Sequence, residues 1–188
     1  MEPLTDASEH ELIQCYLDGD ADAFDRLYQR WRAPLYAFLG RLLPGQGAVA
    51  DDLFQQTWLR IVDALPRYRE QERFAAWLFG IAKNLARDHL RRQTANPVKP
   101  CDDTPLEELP VAAGPEPWMA WSTRELGDAL AVALDRLPPD LREVFLLRRQ
   151  GLSFKEIADL QHTGLNTVLG RMHYAVQRLR VWLEEWRP

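Results

Sequence analysis

The 188 residues contain only two cysteines, Cys15 and Cys101, far apart and without metal-like spacing. No disulfide framework or thiolate cluster can be built from them, so two ordinary thiols in a reducing, cytoplasmic setting are expected. Long apolar runs are missing too, so no membrane insertion is expected. The first residues, MEPLTDASEHEL, are acidic and lack an apolar core, unlike a secretory signal. No strand-like alternation occurs, and no Asn-Gly or Asp-Gly pair sits between two such runs; the chain reads as all-α. Glycine-rich phosphate loops and nucleophile motifs are absent, and His10, His89, His162 and His173 lack ligand spacing. An enzyme is therefore not expected, nor a cofactor, a bound metal or a small-molecule substrate.

What is present suffices for packed cores: 46% apolar residues, with seven tryptophans. Net charge is −5, which argues against a general nucleic-acid coat. Its distribution is uneven. Residues 1–58 carry four basic and ten acidic side chains, 59–93 eight and four, 94–123 one and five, and 124–188 ten and nine. A cationic block between two acidic ones can hold a polyanion locally, or can be simply a solvated helix face.

Residues 94–117 hold six prolines and few bulky apolar side chains, and read as a linker. Before it, four apolar stripes at helical spacing are evident. The first comprises Leu12, Ile13, Tyr16 and Leu17. The second runs from Ala21 through Phe24, Leu27, Tyr28 and Trp31; Pro34 is expected to kink or restart it before Leu35, Phe38, Leu39 and Leu42. Leu53, Phe54, Trp58, Ile61 and Leu65 form the third, stopping before Pro66. Phe74, Trp77, Leu78, Ile81, Leu85 and Leu90 form the fourth.

After the linker, helices are expected over about 123–136 and 140–150, the second ending at Gly151 as a C-cap. Ser153 and Glu156 form a capping-box pattern that starts another helix, with Ile157, Ala158 and Leu160 inward, ending near His162–Gly164. A longer helix is expected from about Leu165 to Trp186, with Val168, Met172, Ala175, Val176 and Leu179 on one face. Two helices about a short glycine-containing turn make a helix-turn-helix. On the outer face of the second lie Asn166, Thr167, Arg171, Tyr174 and Arg178. An amide can pair with adenine and a guanidinium with guanine, while hydroxyls reach phosphates.

Two further stretches carry a resemblance. DDLFQQTWLRI (Asp51 to Ile61) and FAAWLFGIAKNLARDHLRR (Phe74 to Arg92), followed by the helix-turn-helix, resemble the extracytoplasmic-function group of bacterial sigma factors. The resemblance covers roughly residues 10–95 and 125–185. It implies an N-terminal domain over 1–95, an acidic proline-rich linker over 96–122 and a helix-turn-helix domain over 123–188. It further implies core RNA polymerase and promoter DNA, double-stranded and melted, as partners, and an anti-sigma protein as inhibitor.

By that resemblance Asp51, Asp52, Phe54, Gln55, Gln56 and Trp58 meet the polymerase, although the family usually has Glu where Gln56 stands. Tyr68, Arg69, Arg73, Phe74, Trp77, Lys83, Asn84, Arg87, Asp88 and Arg91 meet the minus-ten DNA. Cations interleaved with aromatic rings suit single-stranded DNA: charge tracks the backbone and rings stack on unpaired bases, at about 1–3 kcal/mol per base. That is comparable with the few kcal/mol that extrusion of one nucleotide requires. Lys155, Asn166, Thr167, Arg171, Tyr174 and Arg178 meet the minus-thirty-five element. Trp58 and Trp77 suit either a core or an interface on sequence alone. The family's Leu-Gly-Val-Ser turn is replaced by Gln161, His162, Thr163 and Gly164, which asks His162 for an unusual backbone angle and leaves Thr163 as the candidate cap. A helix-turn-helix regulator and a sigma-like adaptor that does not melt DNA remain the alternatives.

Overall fold

A computed structural model describes residues 7–69, 73–93 and 124–183. The helices are α1 (Glu9–Leu17), α2 (Ala21–Leu42), α3 (Gly47–Ala64), α4 (Phe74–Gln93), α5 (Arg124–Arg136), α6 (Pro139–Arg149), α7 (Phe154–Gln161) and α8 (Leu165–Trp182). A 3-10 turn, Leu65–Arg67, follows α3, and no strand occurs among the described residues. The chain separates into two compact units, 1–95 and 96–188. The acidic linker expected over 96–122 lies outside the described residues, as does the end of the last helix beyond residue 183.

In the first unit, α1 is started by a capping box: Glu11 N–H donates to Ser8 Oγ at 3.3 Å and Ser8 N–H to Glu11 Oε2 at 2.8 Å. Arg30 on α2 fastens that start, donating to the Ala7 carbonyl at 2.9 Å and to Glu9 at 3.4 Å. The helix α2 does not restart at Pro34; it is one helix of 22 residues. An interior proline costs about 3 kcal/mol. Leu27 before it and Leu35, Phe38 and Leu39 after it are all buried, at about 1.5–3 kcal/mol each, so the packing outweighs the lost hydrogen bond.

The rings of α2 point two ways. Phe24 and Tyr28 meet Trp58 of α3 at 6.0 and 4.9 Å between centroids, and Tyr36 meets Phe54 at 5.7 Å. Trp31 and Phe38 meet Phe79 of α4 at 5.9 and 5.0 Å, and Trp31 also meets Phe74 at 6.0 Å. Edge and tilted contacts at these separations each add about 0.5–1.5 kcal/mol beyond area burial. Thus α2 carries α3 on one aromatic row and α4 on the other.

In the second unit, α8 packs against α5, α6 and α7. Arg142 of α6 is 7% exposed and serves as the C-cap of α5. Its Nε donates to the Leu134 carbonyl at 2.9 Å, and its Nη2 to those of Asp135 at 2.7 Å and Leu137 at 2.9 Å. Burial lowers its pKa, and Asp135 opposes the shift. Gly151 follows α6 with φ +84°, and Arg148 spans the turn, donating to the Leu152 carbonyl at 3.0 Å with its guanidinium 4.8 Å from the Phe154 ring. The Ser153–Glu156 capping box is present. His162 ends α7 in the left-handed conformation (φ 53°, ψ 44°), the unusual angle expected there. The cap of α8 is Gly164 rather than Thr163, and no side chain caps it.

Two stability predictions follow from this packing. Arg142→Met removes the donors to three carbonyls, and is expected to destabilise the second unit by about 3 kcal/mol. Hydrogen exchange should show faster exchange in α5 and α8 with α2 unchanged; unaltered protection in α5 would overturn the capping role. Trp58→Ala is expected to cost about 3–5 kcal/mol in the first unit. Leu59→Ala, at an exposed neighbour, should stay within about 0.5 kcal/mol, both read by denaturant unfolding followed by circular dichroism.

Candidate functional site

The outward face of α3 is built by residues that α2 leaves uncovered. Asp51, Asp52, Gln55 and Gln56 are exposed, and Leu59 continues that face at 66% exposure. Leu59 was missed in the sequence because it falls off the apolar stripe; that displacement is itself the signal. Phe54 is half-buried. Trp58, which suited either role on sequence alone, is core: 6% exposed, in contact with Phe24, Tyr28 and Phe54. The Tyr36 hydroxyl donates to Asp51 Oδ1 at 2.7 Å, fixing the carboxylate at the start of this face. That hydrogen bond, with the carboxylate charge, raises the phenol above its ordinary pKa.

On α4 the exposed side chains Asn84, Arg87 and Arg91 recur every three or four residues and so share one face. Asp88 is half-buried and lies 3.6 Å from Arg91. At the start of the helix the half-buried rings of Tyr68 and Trp77 lie 5.1 Å apart, beside exposed Arg69 and Arg73. Two expected members of this surface are placed elsewhere. Phe74 is 3% exposed, packed on Trp31, Tyr68 and Trp77. Lys83 is likewise 3% exposed, because position 83 shares the face of buried Phe79 and Ala86. The cationic face therefore rests on arginines, and Trp77 and Tyr68 are its accessible rings.

On α8 the exposed residues include Asn166, Tyr174 and Arg178, with Thr167 half-buried and Lys155 exposed on α7. Arg171 is drawn inward. Its Nη1 donates to Gln161 Oε1 at 2.9 Å and its Nη2 to Asp140 Oδ2 at 3.1 Å. Gln161 in turn donates to Glu143 Oε1 at 2.7 Å, so one polar chain joins α6, α7 and α8. Leu165, the first residue of α8, is 48% exposed. Among the described residues no cluster of His, Cys, Asp or Glu could hold a metal ion, and no helix is long and apolar enough to cross a membrane.

Comparison with known proteins agrees with this architecture. Residues 27–96 match the Sigma-70 region 2 family and residues 127–179 the Sigma-70, region 4 family. The chain is 36% identical over 175 residues to the RNA polymerase sigma factor CarQ of Myxococcus xanthus, covering 92% of this chain and 96% of that one. It is 31% identical over 184 residues to the ECF RNA polymerase sigma-E factor of Escherichia coli K12, covering 93% and 92%. Among solved structures, the sigma factor RpoE from Bartonella quintana, in complex with the anti-sigma factor NepR, aligns with a TM-score of 0.64 at 24% identity, over 87% of this chain and 98% of that one. CnrH in complex with the cytosolic domain of CnrY aligns with a TM-score of 0.63 at 24% identity, over 96% and 99%. At that identity the solved structures establish a shared fold, and the sequence relatives settle the family against an ordinary helix-turn-helix regulator. The chain belongs to the extracytoplasmic-function (ECF) group of RNA polymerase sigma factors.

Proposed function

We propose that this sigma factor docks on core RNA polymerase through the outward face of α3, captures and melts minus-ten promoter DNA along α4, and reads the minus-thirty-five element with α8. The observation that carries the proposal is the face of α4. Asn84, Arg87 and Arg91 supply an amide and two guanidinium groups along one line, and the Tyr68–Trp77 pair supplies rings at its start. Arginines follow a phosphate backbone while rings accept an extruded base, so melting can be driven by capture of flipped bases without ATP. Bond-forming chemistry belongs to the polymerase. The face of α3, with Asp51, Asp52, Gln55, Gln56, Leu59 and Arg60, offers two carboxylates and two amides beside one apolar side chain and one cation, which suits a polymerase surface of mainly basic character. The site of action is then the cytoplasm, with an anti-sigma protein covering these faces until the inducing signal arrives. Of the two solved structures with the same fold, that of the sigma factor RpoE holds the anti-sigma factor NepR and that of CnrH holds the cytosolic domain of CnrY.

Reconstitution with core polymerase and fragmented genomic DNA tests the proposal. Mapped starts should share two spaced upstream motifs; a stable polymerase complex that never initiates would mean an adaptor instead. Within that assay, Gln56→Arg should weaken polymerase binding. Arg87→Ala should leave polymerase binding intact and lower open-complex formation, read by permanganate reactivity of thymines, roughly ten-fold, the size of one lost charge-assisted contact. Equal loss of both activities in both variants would remove the assignment of faces. Tagged protein recovered from non-inducing cells should carry an inhibitory partner, and its absence would remove the anti-sigma component alone.

A further inference from the structure

Gln161, the last residue of α7, stands where the family's turn has leucine. A leucine there could neither donate nor accept a hydrogen bond; the glutamine amide does both. Its Oε1 accepts from Arg171 Nη1 at 2.9 Å, and its Nε2 donates to Glu143 Oε1 at 2.7 Å. Flipping the amide would set its NH2 group against the guanidinium and its oxygen against the carboxylate, so one orientation alone suits both neighbours. The amide is thus a relay between a cation on α8 and a carboxylate on α6, and both of its bonds are partly shielded from water.

Arg171 sits on the margin between two faces of α8. It lies three residues after buried Val168 and four before buried Ala175. It also lies four after Thr167 and three before Tyr174, which with Asn166 and Arg178 form the outward side. Periodicity allows either direction, and the contacts decide. Nη1 meets Gln161 and Nη2 meets Asp140 Oδ2 at 3.1 Å, leaving the side chain 22% exposed. The start of α8 has little else of its own to hold it: Gly164 supplies no side-chain cap, and Gly170 inside the helix costs about 1 kcal/mol relative to alanine. The relay ties that end of the helix to α6 and α7 together.

We infer that Gln161 is a positioning residue for promoter recognition: its amide pins Arg171, and through it the first two turns of α8, in the pose that meets the upstream element. Arg171 then orients the helix and neither reads a base nor holds a phosphate; contact with DNA falls to Asn166, Thr167, Tyr174 and Arg178. The inference rests on the reading of α8 as the helix that recognises the minus-thirty-five element. Order that the relay supplies before binding need not be drawn from the binding free energy.

Holoenzyme assembled from the full chain is bound, at low temperature so that the duplex stays closed, to a promoter recovered by start-site mapping and to one whose upstream element is scrambled. Gln161→Ala should bind the intact promoter about ten-fold less well, the size of one charge-assisted hydrogen bond, and the scrambled one as well as the unaltered protein does. The paired change Gln161→Glu with Glu143→Gln keeps the net charge and rebuilds the relay with the second bond reversed, an amide on α6 now donating to a carboxylate on α7. It should restore full binding. Arg171→Gln should also weaken binding to the intact promoter, yet leave the penalty for each single base change and the slope of affinity against salt unaltered. Loss of one base preference, or a slope reduced by about one, makes Arg171 a reader of DNA and overturns the inference. Full binding by Gln161→Ala, or a paired change that restores nothing, overturns it too. Hydrogen exchange in α5 should be unchanged in Gln161→Ala at the assay temperature; faster exchange there would make the loss one of stability and remove the positioning role. Failure to initiate, or starts that share no upstream element, overturns instead the reading of α8 on which the inference rests.

Discussion

The aromatic packing of α2 is the constraint on which the N-terminal unit depends. One helix carries Phe24, Tyr28 and Tyr36 toward α3 and Trp31 and Phe38 toward α4, so the outward faces of both are oriented by one scaffold. Because the rings meet edge-on or tilted, they fix angle as well as distance. The outward faces of α3 and α4 are then whatever this packing leaves uncovered: Asp52, Gln55, Gln56 and Leu59 on one, Asn84, Arg87 and Arg91 on the other. An uninterrupted α2 matters for the same reason. A break at Pro34 would separate Tyr36 and Phe38 from Phe24, Tyr28 and Trp31, and the two rows would lose their common register.

The C-terminal unit achieves orientation by polar means. Arg142 ties α6 to the end of α5, Arg148 bridges the turn into α7, and the Asp140–Arg171–Gln161–Glu143 chain holds α8 against both. A small unit has little apolar area to bury, and fixed hydrogen-bond geometry supplies what packing alone leaves loose. His162 belongs to this account. A left-handed residue with a side chain is tolerated there because the Thr163 N–H reaches the Ala158 carbonyl at 3.1 Å and His162 N–H that of Asp159 at 3.2 Å, closing the end of α7.

Much of this was legible in the sequence, for identifiable reasons. Helical stripes, the Ser153–Glu156 box, the stop at Gly151 and the strained angle at His162 are local, and local signals survive folding. The Ser8–Glu11 box has the same signature and starts α1 in the same way. Burial of Lys83 and Phe74 was not legible. A helix between two neighbours buries more than one face, and which positions are covered depends on partners distant in sequence. Trp58 posed the same difficulty, and its contacts with Phe24 and Tyr28 resolve it. The engagement of Arg171 was hidden because its acceptors, Asp140 and Gln161, lie 31 and 10 residues away.

Those internal arginine contacts alter how the charge of this protein should be counted. Formal charge treats every guanidinium and ammonium as available to DNA. Arg142 is occupied by backbone carbonyls, Arg171 is neutralised by Asp140 and Lys83 is buried in the first unit. Only a cation that meets a phosphate displaces a condensed counterion. The number of ions this sigma factor displaces on binding its promoter is therefore smaller than its arginine content implies, and its field draws DNA in weakly over distance.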